Sequence, residues 1–451
     1  MNIQDQGRPQ PSALIIGTGR SALTTATALA RHGWRVDVMS RRTIPEILGA
    51  PAGLTQISLP TTRQWEQHLG LDLWSQDAPT VTAVRLRLGE NEVVAPLPGE
   101  ATAIDPRLIS ARWLELLDTY GTLHINTCHG PELDILAERV NVTVVGGGEN
   151  NPMRNKFPVL NSASSGASDR VVLQAHVSGW DWAQDPYRTQ DGAAMEMWSL
   201  PGAEIMVLPV VAMVPLPPHQ VSALSTAGSV GRIAVPTIAG ACVQVLARPD
   251  GPLDTLPVER RQSSSSENGG LPGRIAARYP AGQIWEHLQA LTAQVDVGLA
   301  ARLTGCSLID GSELLERVQP QVRDAVALTG RGRPIVGIGG LTRTVEPASG
   351  QGAAASTLSG VNLAELVHAQ WQIGKPLDEA FLRSAMATYD QDHGDHTSGF
   401  GAMVNAYHHP LDPFHDKVRG MAVALHQDPA LAALWGQGLD QPDRMAPLLT
   451  S

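Results

Sequence analysis

Apolar residues first gather at Ala13-Leu14-Ile15-Ile16, a run too short for a helix and continuous enough for a buried parallel strand. It enters Gly17-Thr18-Gly19-Arg20-Ser21-Ala22. Beyond it Ala22, Leu23, Ala26, Leu29 and Ala30 share one helical face, and Gly33 stops that helix. Trp34–Ser40 then alternates, with Val36 and Val38 on one side, which predicts a second strand. Strand, glycine turn, helix and strand within about 28 residues make a βαβ unit.

Farther along, Val81–Leu88 reads as a strand inside a stretch rich in Pro, Gly and Thr. Pro106–Tyr120 reads as a helix bearing Leu108, Trp113, Leu116 and Leu117. Val140–Val145 reads as another buried strand, ending in Gly146-Gly147-Gly148. Residues 149–169 are polar and predict a loop. Val171–Val177, Ala194–Trp198 and Ile205–Met213 are β-rich runs that predict an antiparallel sheet. Ser263–Gly270 is a low-complexity Ser/Asn/Gly loop. Ile284–Leu303 predicts one helix and Pro334–Gly339 a strand entering a turn. Gly350-Gln351-Gly352 opens a helix from Ala353 to Trp371, and residues 376–451 read as helical. The expected fold is α/β: a Rossmann-like lobe, an antiparallel β-sheet lobe and a C-terminal helical tail.

Composition narrows the classes. At 451 residues the chain exceeds one small core and suggests two or three lobes. A formal net charge of −11 argues against nucleic-acid binding, which needs a basic face. No apolar run reaches the roughly 18–20 residues of a membrane span, and the first residues show no charged-then-apolar leader. Cys128, Cys242 and Cys306 lie far apart and are odd in number, so no disulfide framework is expected and a cytoplasmic setting is the default.

The Gly17–Ala22 turn has the residues a dinucleotide needs. Gly17 permits the tight turn, Gly19 lets backbone approach a pyrophosphate, and Ala22 is small enough for helix to pack on strand. The helix N-terminus then offers free N–H groups to the phosphates. The acid that usually holds the ribose is missing: Ser40 ends the second strand, Arg41 and Arg42 follow, and Asp37 lies on the opposite alternation phase. Two readings follow, that Arg41 or Arg42 contacts a phosphate or that the adenosine end is held loosely, and against both stands a merely solvated pair of arginines. A second glycine-rich helix start at Gly350–Ala353 suits a cofactor with a second anionic end, as a reduced flavin ring has.

The other constellations divide less clearly. His393, Asp395 and His396, with His408, His409 and His415, have metal-ligand spacing, but an exposed histidine cluster is the expectation and no metal is assigned. Trp180, Trp182 and Trp198 either line a pocket or fill the core of the β-rich lobe. No Ser-His-Asp or paired-carboxylate arrangement follows from spacing.

Three segments together carry a family resemblance: Ile15–Gly19, Val144–Gly148, and Gly337–Gly340 followed by Val345–Ala353. In order and spacing they resemble the FAD-dependent aromatic monooxygenases, above all the oxygenase component of styrene and indole monooxygenases. The resemblance spans most of the chain and is strongest at 13–43, 101–148 and 333–372. It implies a discontinuous FAD-binding domain (1–46, 96–168, 325–375), a substrate domain (47–95, 169–324) and a C-terminal helical segment (376–451). It implies cofactor contacts at Gly17, Gly19, Ala22, Ser40, Arg41, Arg42, Thr55, Arg107, Gly148, Gly340, Pro347, Gly350, Gln351, Gly352 and Ala353.

The activity implied is epoxidation or hydroxylation of a small apolar aromatic or alkene substrate through a C4a-hydroperoxide. Reduced FAD would come from a separate NAD(P)H-flavin reductase, and a homodimer is left open. The sequence departs from the family at Gly340, where an Asp is usual, at Glu346, also usually Asp, at Ala354, commonly Asn, and at Leu54, aligned with an Asn at the flavin edge. The alternatives are an FAD-dependent oxidase or cyclisation catalyst, and a non-catalytic flavin-fold binding subunit.

Overall fold

The computed structural model describes residues 9–128, 130–148, 151–160, 169–182, 193–226, 233–249 and 282–445. The expected loop at Ser263–Gly270, and residues 149, 150 and 161–168 of the polar stretch, lie outside these.

Two sheets organise the chain. The first contains β1 (Ser12–Ile16), β2 (Arg35–Ser40), β6 (Gly121–Ile125), β7 (Val142–Gly146), β15 (Val326–Leu328) and β16 (Pro334–Ile338), in the order β15-β16-β7-β1-β2-β6. All neighbours run parallel except β15 against β16. Parallel strands are covered on both faces, which is why β1 is buried at all five residues and its sequence does not alternate. Helix α1 (Arg20–Arg31) lies on one face. The long helix Gly352–Gln372 crosses it closely at Gly360, where a Cβ would stand 2.8 Å from the Ser21 carbonyl oxygen. Beneath them Ile15, Leu23, Leu29, Val36, Val38, Val144, Val336 and Trp113 form one continuous core. The Trp113 indole N–H is satisfied by the Leu71 carbonyl at 2.8 Å.

The second sheet has nine strands: β3 (Ile57–Ser58), β4 (Val81–Leu88), β5 (Asn91–Ala103), β8 (Arg170–Ser178), β9 (Ala193–Leu200), β10 (Ala203–Met213), β11 (Thr237–Ala247), β12 (Ser307–Leu308) and β13 (Leu314–Val318). Its order is β12-β8-β11-β10-β9-β4-β5-β3, with β13 also on β8. Pairing is antiparallel except between β4 and β9. β14 (Gln321–Val322) and β17 (Arg343–Thr344) form a separate short ladder.

The helix predicted over Ile284–Leu303 is two helices, Gln283–Val295 and Val297–Thr304. Asp296 divides them. Its carboxylate accepts the Leu299 N–H at 2.8 Å, an N-cap, and the Trp198 indole N–H at 2.9 Å, and it pairs with Arg87. The C-terminal helices Asp395–Ala406, His415–Gln427 and Pro429–Asp440 pack onto one face of the second sheet. Gly436 sits so close that a Cβ there would meet the Pro96 carbonyl oxygen at 2.1 Å. Among the described residues no helix is long and apolar enough to cross a membrane, and no group of His, Cys, Asp or Glu is placed to hold a metal ion.

Candidate functional site

A cavity of about 940 Å³ opens at the carboxyl ends of β1, β2, β6, β7 and β16 and is closed on its far side by the second sheet. That is where open parallel sheets place ligands, and the volume is at the upper end of ligand-pocket sizes, about 300–1,000 Å³. Gly17, Gly19, Gly148 and Gly340 line one wall, and Thr55, Met206, Leu208 and Gln244 line another.

The glycine turn is built for close approach. Gly17 has φ +115°, its N–H donates to the Met39 carbonyl at 3.0 Å, and a Cβ there would stand 2.2 Å from the Gly146 carbonyl oxygen. Gly19 differs. Its φ is −75°, and the nearest atom to a Cβ would be the Gly147 Cα at 3.9 Å, so the space above it is open. Ala22 does not line the cavity. It is fully buried beneath the turn, where a Cβ on Gly146 would meet its methyl at 2.7 Å. Helix α1 starts with no side-chain cap and no acid in its first turn. This cradle fits a pyrophosphate, because an uncapped helix start supplies N–H donors and a positive dipole end.

Arg41 and Arg42 are exposed on the cavity rim. Ser40 closes the turn beneath them: its hydroxyl donates to the Arg42 carbonyl at 2.5 Å and accepts the Arg42 N–H at 3.1 Å. Asp37 pairs with His124 at 2.8 Å, away from the cavity. Arg107 lines the cavity, but its donors are used by Asp105, at 3.0 and 2.7 Å, and by the carbonyls of Ala50 and Gly311. Burial alone raises the Asp105 pKa, but Arg107 outweighs it and holds the carboxyl below its usual range.

Pro347, Gly350 and Gly352 also line the cavity. Gln351 and Ala353 do not, contrary to expectation. Gln351 is fully buried and its amide donates to the Leu439 carbonyl at 2.6 Å, while Ala353 faces the core. The helix start at Gly352 again has no side-chain cap and no acid in its first turn.

Sequence reading missed the residues that hold Thr55. Gln174 accepts the Thr55 N–H at 2.7 Å, Gln244 donates to the Thr55 carbonyl at 2.9 Å, and the Thr55 hydroxyl pairs with His176 Nε2 at 2.7 Å. All three come from paired β8 and β11. Burial, opposed by Asp105 and reinforced by Arg107, pushes the His176 pKa down to about 4. Polar residues at inward strand positions 119 or more residues from Thr55 carry no local sequence signal.

A second, apolar pocket of about 70 Å³ adjoins the first, sharing Met206 and Gly350 with it. Met195, Met197, Phe400, Met403 and Trp435 are among its walls. Two of the hydroxyls in its walls are engaged: Ser199 with His408 Nε2 at 2.8 Å, and Ser349 with the Glu346 carbonyl at 2.5 Å. Of the open readings for the tryptophans, packing holds. Trp180 and Trp198 are buried in the core on the other side of the second sheet, and Trp182 packs against that cluster.

No protein-family model and no curated protein sequence matches the chain. Solved structures do. The flavin-dependent brominase Bmp2 superposes with a TM-score of 0.60 at 12% identity, covering 93% of both chains. CmlS, a flavin-dependent halogenase, gives 0.62 at 13% identity over 93% of this chain and 74% of that one. PqsL, a probable FAD-dependent monooxygenase from Pseudomonas aeruginosa, gives 0.52 at 12% identity over 98% of this chain and all of that one, 100%. The chain therefore has the aromatic-hydroxylase type of FAD-binding fold.

Proposed function

We propose that this chain is a flavin-dependent monooxygenase that binds FAD in the large cavity and oxygenates a small apolar aromatic or alkene molecule held in the adjoining pocket. One observation carries the reading: the large cavity that holds the glycine cradle and the apolar pocket adjoin at the turn Pro347–Gly350, so a dinucleotide site and a hydrocarbon site share one wall. Fold likeness to halogenases and a monooxygenase supports the same class of chemistry.

In this reading Gly17 and Gly19 admit the pyrophosphate, the start of α1 donates to it, and Arg41 and Arg42 add positive charge at the rim. The uncapped helix start at Gly352 favours negative charge on the flavin ring. Reduced FAD supplies the electrons that activate dioxygen. The apolar pocket excludes water, and two of its hydroxyls, Ser199 and Ser349, are engaged by His408 and Glu346, so its lining is mostly hydrocarbon and thioether. Five methionines around it (Met195, Met197, Met206, Met403 and Met421) let the walls adjust to the occupant. A separate reductase supplying reduced FAD belongs to the proposal, as does closeness to the styrene and indole monooxygenases.

The test supplies the protein with chemically reduced FAD and air, with styrene or indole as probe. An oxygenated product is expected, and NADH or NADPH added anaerobically to the FAD-loaded protein is expected to leave the flavin oxidised. Peroxide with no product for any apolar probe would overturn the monooxygenase reading. Rapid flavin bleaching by either nicotinamide would overturn the two-component part.

A further inference from the structure

The turn between the two cavities is held by a closed ring of buried polar side chains drawn from three distant parts of the chain. Glu346 leads into the turn and accepts the Ala348 N–H at 3.1 Å. Arg170, on β8, donates from Nε to Glu346 Oε1 at 2.9 Å and from Nη2 to Asn405 Oδ1 at 2.8 Å. Asn405, on the helix Asp395–Ala406, closes the ring by donating from Nδ2 to Glu346 Oε2 at 2.9 Å. Their exposures are 0%, 3% and 4% for Arg170, Glu346 and Asn405. The second carboxylate on Arg170 is Glu204 of β10, 2.8 Å from Nη1.

The helix is also fitted to this ring by shape. Gly401, one turn before Asn405, lies against Glu346, where a Cβ would stand 2.9 Å from the Glu346 Cβ. Asn405 and Gly401 thus fix both the rotation of the helix and its distance from the turn, since residues four apart share a face. The same helix presents Phe400, Met403 and Val404 to the apolar pocket. The turn presents Pro347 and Gly350 to the large cavity, and Ala348, Ser349 and Gly350 to the apolar one.

We propose that Arg170, Glu346 and Asn405 are positioning residues that lock the register of the helix Asp395–Ala406 to the turn Pro347–Gly350, so that the walls of both cavities are set together. The ligands named for the two cavities rest on the proposed function; the mechanical coupling does not. A merely structural ring would affect stability and leave the two walls independent. A positioning ring makes them move as one. Donor and acceptor roles in the ring can also be exchanged: a carboxylate at 405 and an amide at 346 keep the charge and every polar partner of Arg170.

The test uses the whole chain and three variants, Asn405→Asp, Glu346→Gln and the double variant. Hydrogen exchange is followed at 347–350 and 395–406, together with the Kd for FAD and for the neutral fluorescent probe N-phenyl-1-naphthylamine. Each single variant is expected to lose protection in both segments together. Each is also expected to weaken both ligands about tenfold, the scale of one buried charge-assisted hydrogen bond. The double variant is expected to recover most of the protection and of both affinities, short only by the bond from Asn405 Nδ2 to the Gly401 carbonyl, 3.3 Å, which a carboxylate cannot make.

Loss of protection in one segment only, or a lowered Tm with both affinities unchanged, overturns the proposal. So does a double variant no better than the singles. If the unsubstituted protein binds neither FAD nor the probe, the proposed function fails while the exchange data still decide the coupling.

Discussion

Gly17 and Gly19 stand two residues apart in one turn, yet a side chain should damage folding at the first and ligand binding at the second. At Gly17 the backbone has φ +115° and the new Cβ would lie 2.2 Å from a carbonyl oxygen of β7. A non-glycine residue in that conformation costs about 1–3 kcal/mol, and the clash is with main chain that no rotamer change relieves. Gly17→Ala should therefore destabilise the apo-protein by roughly 3 kcal/mol or more. At Gly19 φ is −75° and the nearest atom lies 3.9 Å away. Alanine loses up to about 1 kcal/mol as a helix N-cap, and reduced freedom of the unfolded chain returns about 0.4–1 kcal/mol. Apo stability should stay within about 1 kcal/mol of the parent.

Binding should reverse the order of interest. The open space above Gly19 is where a pyrophosphate must approach the N–H groups of α1, so Gly19→Val should lose FAD at least tenfold while remaining folded, a change of about 1.4 kcal/mol or more. Urea unfolding of the apo-proteins and calorimetric titration with FAD separate the two quantities. A folded Gly19→Val protein with the parent's FAD affinity would refute the assignment of this turn. Equal destabilisation by alanine at both positions would refute the geometric reasoning.

Three further outcomes can be checked. Reduced FAD should bind more tightly than oxidised FAD, because the start of the helix at Gly352 favours negative charge, an effect of up to about 2 kcal/mol; equal affinities in anaerobic and aerobic titrations would contradict it. His176→Gln should remove an acid sensitivity. The neutral imidazole is favoured in the fold, so the parent loses stability as pH falls from 6.5 towards 4, and its margin over the variant should shrink by roughly 3 kcal/mol across that window. A pH-independent margin in urea unfolding would count against it. Replacing Arg41 and Arg42 together by Ala should weaken FAD binding at low salt and matter little near 1 M salt, where the screening length is about 3 Å; a deficit that persists at high salt would point to a direct contact instead.

The parts of the fold that were legible in the sequence are those whose cause is local. β1 could be read because five consecutive buried residues enter a glycine turn, and α1 because its apolar stripe is capped by Gly33. The β-rich runs of the second sheet follow from strand patterning in the same way. Asp296 caps the second helix through a local bond to the Leu299 N–H, but the apolar positions run on past it from 284 to 303 and hide the break; Trp198 and Arg87, which hold its other oxygen, come from distant strands. Gln351 sits inside a glycine-rich helix start, yet its side chain turns away to a carbonyl 88 residues later. Arg107 resembles a free cation in sequence and is consumed by Asp105 two residues before it. The grip on Thr55 by Gln174, His176 and Gln244 is set by sheet pairing, which no local pattern specifies.

The order in which the chain leaves the ribosome bears on when these cavities can exist. β1, β2 and β7 are complete within the first 146 residues, but their neighbour β16 follows only at 334–338. The wall around Phe400 and Trp435 comes later still. Synthesis at about 5–20 residues per second leaves the carboxyl end of the first sheet unfinished for roughly ten seconds or more. During that interval the Met-rich face of the second sheet lacks the helices that cover it. Capture of a cofactor therefore waits for segments made long after the glycine turn, and until they arrive that face is open to association with other chains.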